Sequence, residues 1–364
     1  MKYFLSIIFL MLVNHPVNAV DYKLETVAEG LEFPWSVAFL PGGELIVAER
    51  SGSLRRISSD GSIGDPLRGL PQSYVESQGG FHDVVLHPEF ASNQLIYLAF
   101  AHGGPDANGT RIVRGRLTAD AVEDVEVIFT VEPLKDTAAH YGGKMMFLPD
   151  GKLLLTTGDG FDYREEAQNI NSLLGKTIRI NDDGTVPADN PFVGSGDGNE
   201  KIFTWGHRNP QGLTLDTDTG TIYLHEHGPR GGDELNRLEP GKNYGWPAIT
   251  YGMNYSGAYV SPFTEHPSME QPLKYWVPSV APSGLAYYNG DAFPQWKGDL
   301  FVGTLVNKDV RRLDMENGKV VAEEILFAEI GERIRDVRVG PDGFIYILTD
   351  SSEGKIIRVV PKSS

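Results

Sequence analysis

The stretch TWGHRNPQGLTL, residues 204–215, packs Trp205, His207, Arg208, Asn209 and Gln211 into one turn punctuated by Gly206, Pro210 and Gly212. A connecting loop needs polarity and a residue that bends the chain; it does not need so many side chains able to recognise a ligand. Three other stretches have the same density. Gln78 stands before Gly79-Gly80 in ESQGGFHDVVLHP, His140 precedes Gly142-Gly143 in DTAAHYGGKMMFLPDG, and GERIRDVRVGPDG carries Arg333 and Arg335. Two arginines two apart on extended chain point to one side. Together with Arg208 they suit a ligand bearing several carboxylates, whose geometry the guanidinium fork matches. Each residue also has a plainer reading: Gln78 as a loop tie, His140 as a structural histidine, and the arginines as partners of Asp336 and neighbouring acids.

Residues 223–247, YLHEHGPRGGDELNRLEPGKNYGWP, form the second dense region. His225 and His227 share one face of a strand, a spacing that can bind zinc, but no third ligand is evident. The Gly228-Pro229 turn offers backbone carbonyls, which calcium accepts readily and zinc does not. Glu234 and the Tyr244 region could serve the same hard cation or a second one. DTDTG, residues 216–220, resembles a fragment of a calcium loop and reads better as a hairpin turn.

The elements that must hold these residues repeat. Apolar residues, a Pro/Asp/Gly turn and an alternating strand recur in VAFLPGGELIVAER, VVLHPEFASNQLIYLAF, MMFLPDGKLLLTTGDG, LTLDTDTGTIYLHEHG, LAYYNGDAFPQWKGDLFVGTL and VRVGPDGFIYILTD. Each is two β runs across a hairpin turn, and further short strands such as GSLRRIS and GKIIRVV follow. The period of roughly 57 residues is near that of a four-stranded propeller blade with generous loops. No linker divides the chain into two stacked sandwiches. The expected fold is therefore all-β, a single six-bladed β-propeller with four-stranded blades over residues 20–364. YKLETVAEGL is expected to close the ring against KIIRVV, because closure protects sheet edges. Propeller ligands sit where one loop from each blade converges, so residues distant in sequence can share one pocket.

At the N-terminus, Lys2 precedes an apolar run over residues 3–13, and Val17-Asn18-Ala19 offers a small-residue site. That is the layout of a signal peptide, residues 1–19, cleaved after Ala19. A membrane anchor would need about 20 apolar residues. The protein is thus expected to be exported, periplasmic or secreted, with no membrane span after processing. Cysteine is absent, which excludes disulfides and thiol chemistry. The net charge of −17, spread along the chain, argues against nucleic acid or anionic membrane as partner.

Taken in order, HYGG, FLPDGKLLLTTGDG, GHRNPQGL, HEHGPRGGDELN, NYGWP and RIRDV resemble the soluble PQQ-dependent aldose sugar dehydrogenases, relatives of soluble glucose dehydrogenase. The resemblance runs from about Leu31 to the C-terminus, and that family is a six-bladed propeller. It implies PQQ and calcium as cofactors, an aldose as substrate, and a quinone, cytochrome or dye as electron acceptor. By resemblance His140 is the general base at the anomeric hydroxyl, hydride passes to the C5 carbon of the quinone, and the product is a lactone. Carbonyls of Gly228 and Pro229 match the positions that hold calcium, which polarises the quinone. Glu234 and Tyr244 match a family calcium site. Arg208 and Asn209 match residues beside the quinone, where positive charge stabilises a developing oxyanion. Gln78, Tyr255, Arg333 and Arg335 match cofactor contacts. A neutral His140 with an ordinary value near ~6.5 implies activity that rises from pH ~5 to ~8.

Two positions depart from the family pattern. Ala139 stands where soluble glucose dehydrogenase has an acidic residue before the base, and Val306 stands where many members have a lysine, with Lys308 two residues on. Two other functions compete on the same fold: a calcium-dependent lactonase or phosphotriesterase-like hydrolase, and a non-catalytic propeller that binds protein or glycan. A hydrolase of that kind holds calcium with side-chain carboxylates and amides, whereas the candidate site here leans on carbonyls and a basic cluster.

Overall fold

Turn chemistry builds the repeat. In the third copy Gly151 donates its N–H to the Leu148 carbonyl (2.9 Å) at a φ of +78°, and Asp150 accepts the N–H of Lys152 (3.0 Å). That left-handed position, cheap only for glycine, turns Gly142–Phe147 back as Leu153–Thr157. The same hairpin recurs around the molecule. A computed structural model describes residues 20–362 and contains six four-stranded antiparallel sheets. The expected leader, residues 1–19, lies outside the described residues.

The innermost strands of the six blades are Pro34–Phe39, Phe81–Leu86, Gly142–Phe147, Pro210–Leu215, Pro282–Tyr287 and Ile334–Val339. The ring closes as expected: Tyr22–Leu31 pairs antiparallel with Gly354–Pro361, Thr26 opposite Ile357, as the outer strand of the sixth blade. Chain start and chain end thus share one sheet, and Gly354–Pro361 is paired on both sides, with Tyr22–Leu31 and with Ile345–Thr349.

Alternation, expected in the second strand of each repeat, gives way there to continuous burial. All five residues of Leu45–Glu49, Leu153–Thr157, Ile222–Glu226, Leu300–Thr304 and Ile345–Thr349 are buried. The reason is that blades pack face to face, so both faces of an inner strand are covered. Between the first and second blades Ile46, Leu54, Phe81 and Phe100 pack together; between the sixth and first, Val37, Val47, Tyr346 and Leu348 do so. Among the described residues, helix is limited to the four-residue Phe90–Asn93 and three short 3-10 turns, and no helix is long and apolar enough to cross a membrane.

Buried charges brace the channel below the loops. Arg338 bridges Asp83 (2.7 Å) and Asp336 (2.8 Å), and Lys144 reaches Asp336 (3.1 Å). The second, third and sixth blades are thereby tied together by a set whose charges cancel, which limits the cost of burying them. Asp336 is therefore the partner of Lys144 and Arg338, and Arg333 and Arg335 pair elsewhere.

Candidate active site

His140 enters at the head of the third blade with a φ of +52°, a left-handed backbone that a non-glycine residue adopts at some cost. Two contacts hold it there. Gln78 Oε1 accepts the His140 backbone N–H (2.9 Å), and Asp159 Oδ1 lies 2.7 Å from Nδ1. Asp159 is itself fixed: Oδ2 accepts the Trp246 indole N–H (2.7 Å), Oδ1 accepts the Phe161 N–H (2.8 Å), and its own N–H reaches the Arg208 carbonyl (2.7 Å). A carboxylate on Nδ1 sets the tautomer and leaves Nε2 as the basic nitrogen. Burial holds His140 below its ordinary value, with Arg208 and Lys135 adding to the effect and Asp159 opposing it. The imidazole is therefore neutral near pH 7.

Arg208 is buried beside it. Its Nη1 donates to the carbonyls of Gly228 (2.6 Å) and His227 (3.2 Å), its guanidinium lies 5.2 Å from the Trp246 ring centroid, and its Nε has no partner among the described residues. Glu226 accepts the Arg208 backbone N–H and also takes His207 Nδ1 (2.8 Å). The turn that is dense in recognition side chains thus spends His207 on its own structure and presents Arg208 and Asn209.

Two cavities meet at this turn. The central one, about 270 Å3, is lined by Gln78, Asn209, Arg333 and Arg335, with Trp35, His82, Arg50 and Asp350. Asp350 pairs with both Arg333 (2.9 Å) and Arg335 (3.0 Å), so with Arg50 the wall keeps an excess of positive charge. The second cavity, about 290 Å3, is lined by Arg208, Pro229, Trp246, Phe161 and Tyr255. Tyr255 is 64% exposed and stacks near Phe161 (6.5 Å), so it belongs to this outer cavity rather than with Arg333 and Arg335. Arg208 likewise faces the outer cavity, and Arg50 takes the third arginine place in the central one.

The candidate metal residues divide in the same way. Gly228, Glu234 and Tyr244 border an enclosed void of about 10 Å3 with Glu226 and Thr250, whereas Pro229 faces the outer cavity. Glu234, pushed up to about 8 chiefly by burial and then by Glu226, has beside it the buried Asn236, whose Oδ1 lacks a partner among the described residues. Two carboxylates and room for one small ion suit a hard cation, but the Arg208 guanidinium lines the same void, and Asn236 turns its amide nitrogen to Glu234 (3.3 Å) and Glu226 (3.5 Å). Tyr244 brings no side-chain oxygen: its hydroxyl donates to the Arg237 carbonyl (2.6 Å) and accepts the Glu239 N–H (2.9 Å). His225 and His227 give their Nε2 atoms to the carbonyls of Gly284 (3.1 Å) and Pro282 (2.6 Å) in the next blade. Among the described residues, no three side chains of His, Asp or Glu type converge as a metal cluster. Asp216, in the suspected calcium loop, accepts the N–H groups of Asp218 (2.8 Å) and Thr219 (3.1 Å) as the turn of a hairpin. Val306 is 60% exposed, and Leu305, not Lys308, lines the central cavity.

The fold and site define a six-bladed propeller with an arginine-lined central pocket beside a buried histidine–carboxylate pair. Comparison with known proteins narrows that class. Residues 31–358 match the model of the glucose / sorbosone dehydrogenase family, and the chain belongs to this family of oxidoreductases. It is 40% identical to aldose sugar dehydrogenase YliI of Escherichia coli over 94% of this chain and 93% of that one. A crystal structure of a glucose dehydrogenase shares 45% identity at a TM-score of 0.91, covering 94% of this chain and 100% of the other. The PQQ-bound form of aldose sugar dehydrogenase from Streptomyces coelicolor shares 27% identity at a TM-score of 0.77, over 94% of this chain and 98% of that one.

Asp159, Arg50 and Asp350 were not singled out by their local sequence. A signal for two of them existed: Arg50, His227, Leu305 and Asp350 each directly follow the second strand of a blade, and all four line the central cavity.

Proposed function

We propose that this protein oxidises aldose sugars at the anomeric carbon to lactones, with PQQ in the central cavity and calcium beside it. The observation that carries this reading is the His140–Asp159 pair, which is buried between Tyr141 and Gly142 on the wall of the central cavity and Phe161 (5.0 Å between rings) on the wall of the outer one. The central cavity suits a flat polycarboxylate. Arg50, Arg333 and Arg335 line it, and the buried Nε of Arg335 has no partner among the described residues. A buried donor left unpaired costs free energy until an acceptor arrives. Gln78 and Asn209 add neutral polar groups to the wall, and the aromatic rings of Phe161, Trp246 and Tyr255 line the outer cavity where a sugar ring would stack.

When bound, PQQ would supply the two-electron acceptor chemistry and calcium Lewis acidity; the Pro229 carbonyl would hold the metal, with the Gly228 carbonyl joining it once Arg208 Nη1, now 2.6 Å away, gives it up. The chain's residues do the rest. His140 takes the proton of the anomeric hydroxyl on Nε2, and Asp159 stabilises the imidazolium that results. Arg208 places fixed positive charge where an oxyanion develops. Glu234, with the backbone at Tyr244, supplies a second place for a hard cation. The electrons pass to an external quinone, cytochrome or dye. We place the protein outside the cytoplasm, released after Ala19 as the propeller of residues 20–364.

The test is reconstitution with PQQ and calcium, followed by dye reduction with a panel of aldoses and detection of the lactone. Turnover should appear with several aldoses, and His140→Ala should lower kcat by about 10²–10⁴-fold while PQQ stays bound. PQQ binding without dye reduction by any aldose would overturn the reading and leave a binding propeller.

A further inference from the structure

The second residue of an inner strand faces the central cavity in four blades: Trp35, His82, Gln211 and Arg335. Of these, His82 is the one whose charge can change near neutral pH. It is 1% exposed. Its Nε2 lies 3.0 Å from the Gln78 carbonyl, which accepts and so places the ring proton on Nε2. Its Nδ1 is buried without a partner among the described residues. Gly143 packs closely against the ring on that side, where any Cβ would stand 2.9 Å from Nδ1, so no side chain supplies the nitrogen with a partner.

The ring sits in a column of aromatic groups with a basic side chain at each end. Lys135 Nζ lies 3.6 Å from the Tyr141 ring centroid, Tyr141 lies 5.2 Å from His82, His82 lies 5.5 Å from Trp35, and the Arg335 guanidinium lies 3.8 Å from Trp35. Other charged and titratable groups face it from every side. Asp83 on its own strand is taken by Arg338 and the Met145 N–H. Lys144 comes from the third blade, paired to Asp336 of the sixth; His140 stands at the head of the third; Arg50, His227, Arg333 and Asp350 share the cavity wall. Burial first and then Lys135, Arg335 and Lys144 hold His82 down to about 4. An imidazole with one filled and one open nitrogen, in a wall of cations, accepts a proton near neutral pH when negative charge enters.

We propose that His82 is the proton-uptake site of the central cavity: when the tricarboxylate cofactor enters, a solvent proton adds to His82 Nδ1, and the imidazolium becomes part of the wall that holds the anion. The inference rests on the reading of this cavity as the cofactor site. Opposite charge a few Å away favours the protonated form, and the flanking Tyr141 and Trp35 rings stabilise a cation between them. One N–H bond forms and nothing is oxidised or reduced. Because the loaded protein carries one more proton than the free protein and cofactor, loading weakens as pH rises.

The experiment is calorimetric titration of PQQ into the calcium-supplemented protein at pH 6, in buffers of different ionisation enthalpy. The slope of observed against ionisation enthalpy counts the protons taken up. The unsubstituted protein should take up close to one proton, and its Kd should rise about tenfold between pH 5.5 and 7.5, within the tenfold-per-unit ceiling that one linked proton allows. His82→Gln should take up close to none and lose that pH dependence, whereas His140→Gln should keep it. Undiminished uptake in His82→Gln, or its loss in His140→Gln, would overturn the proposal while the cofactor site stands. Failure of the unsubstituted protein to bind PQQ at all would bring down the cofactor reading and this inference together. Imidazole ¹⁵N spectra of the unsubstituted protein give a check that needs no folded variant: Nδ1 of His82 should change from unprotonated to protonated on loading at pH 6, and an unchanged signal overturns the proposal.

Discussion

At the scale of single residues, His140 depends on a carboxylate that no motif advertised. Asp159 lies 19 positions on, 2.7 Å from Nδ1, and is locked by the Trp246 indole from 87 positions away. Its local sequence, TTGDG, looks like the end of a strand, so nothing in the spacing distinguished a catalytic partner from a turn residue. His140 itself was legible because a histidine before two glycines, in a repeated position, is an unusual use of a repeat. Asp159→Asn keeps the shape and removes the charge that favours the imidazolium. The expected result is a fall in kcat of about 10²–10⁴-fold. The pH profile is a second readout. Burial holds His140 below its ordinary value, so the acid limb of kcat/KM should lie below pH ~6.5. Loss of the Asp159 charge should move it further to the acid side, since Asp159 opposes the lowering. A limb above pH ~6.5, or one that Asp159→Asn leaves in place, would contradict the geometry.

Strand ends decide the site at the scale of elements. Inner strands begin at the cavity and second strands end there, so the same register positions recur as cavity-facing residues in blade after blade. The hairpins themselves were legible from their turn dipeptides, because φ above zero at a fixed offset is a local requirement that glycine meets. The loop that follows Leu153–Thr157 was not. It is pinned by the buried Lys176 ammonium, which donates to the carbonyls of Glu166 (2.7 Å), Ala167 (3.1 Å) and Leu174 (2.6 Å), a cage that only the folded loop creates. Close approach within this loop demands a glycine at 158: a Cβ there would stand 2.1 Å from the His140 carbonyl oxygen. Gly158→Ala should therefore displace His140 and abolish turnover in the reconstituted enzyme, with the thermal midpoint of the apo protein lowered by only a few degrees. Retained activity would show that His140 tolerates movement and is not the base.

For the whole molecule, closure and buried neutral histidines set the response to acid. His82 is held down to about 4 and His225 to about 3, in both cases chiefly by burial. Unfolded, each would titrate near ~6.5, so below that pH the unfolded chain binds more protons and is favoured. The lowered values mean that stability is full above pH ~6.5 and is lost as pH falls toward about 4. Each group contributes roughly 1.4 kcal/mol per pH unit across that window. Glu234, pushed up to about 8, opposes this loss, and His227, also held down to about 4, adds to it, so the test is a difference: between pH 7 and pH 5, urea unfolding of His225→Gln should lose about 2 kcal/mol less than the unsubstituted protein. An equal loss in both proteins would mean that His225 is wetter than the packing implies.

Six hairpins, their repeat length and the closing first strand were determined by the sequence alone, because turn residues and apolar runs act within a few positions of themselves. The residue types of the site, His140, Arg208, Asn209, Gln78 and the Arg333–Arg335 pair, were equally visible. Only the tertiary structure decided which of them share a cavity. It set Arg50 and Asp350 beside the arginine pair, sent Arg208 and Tyr255 to the outer cavity, and joined Asp159 to His140. The physical reason is that a propeller converts distance along the chain into an angle around an axis. Which side chains face one another across that axis follows from how six sheets twist and pack, and no local pattern records it.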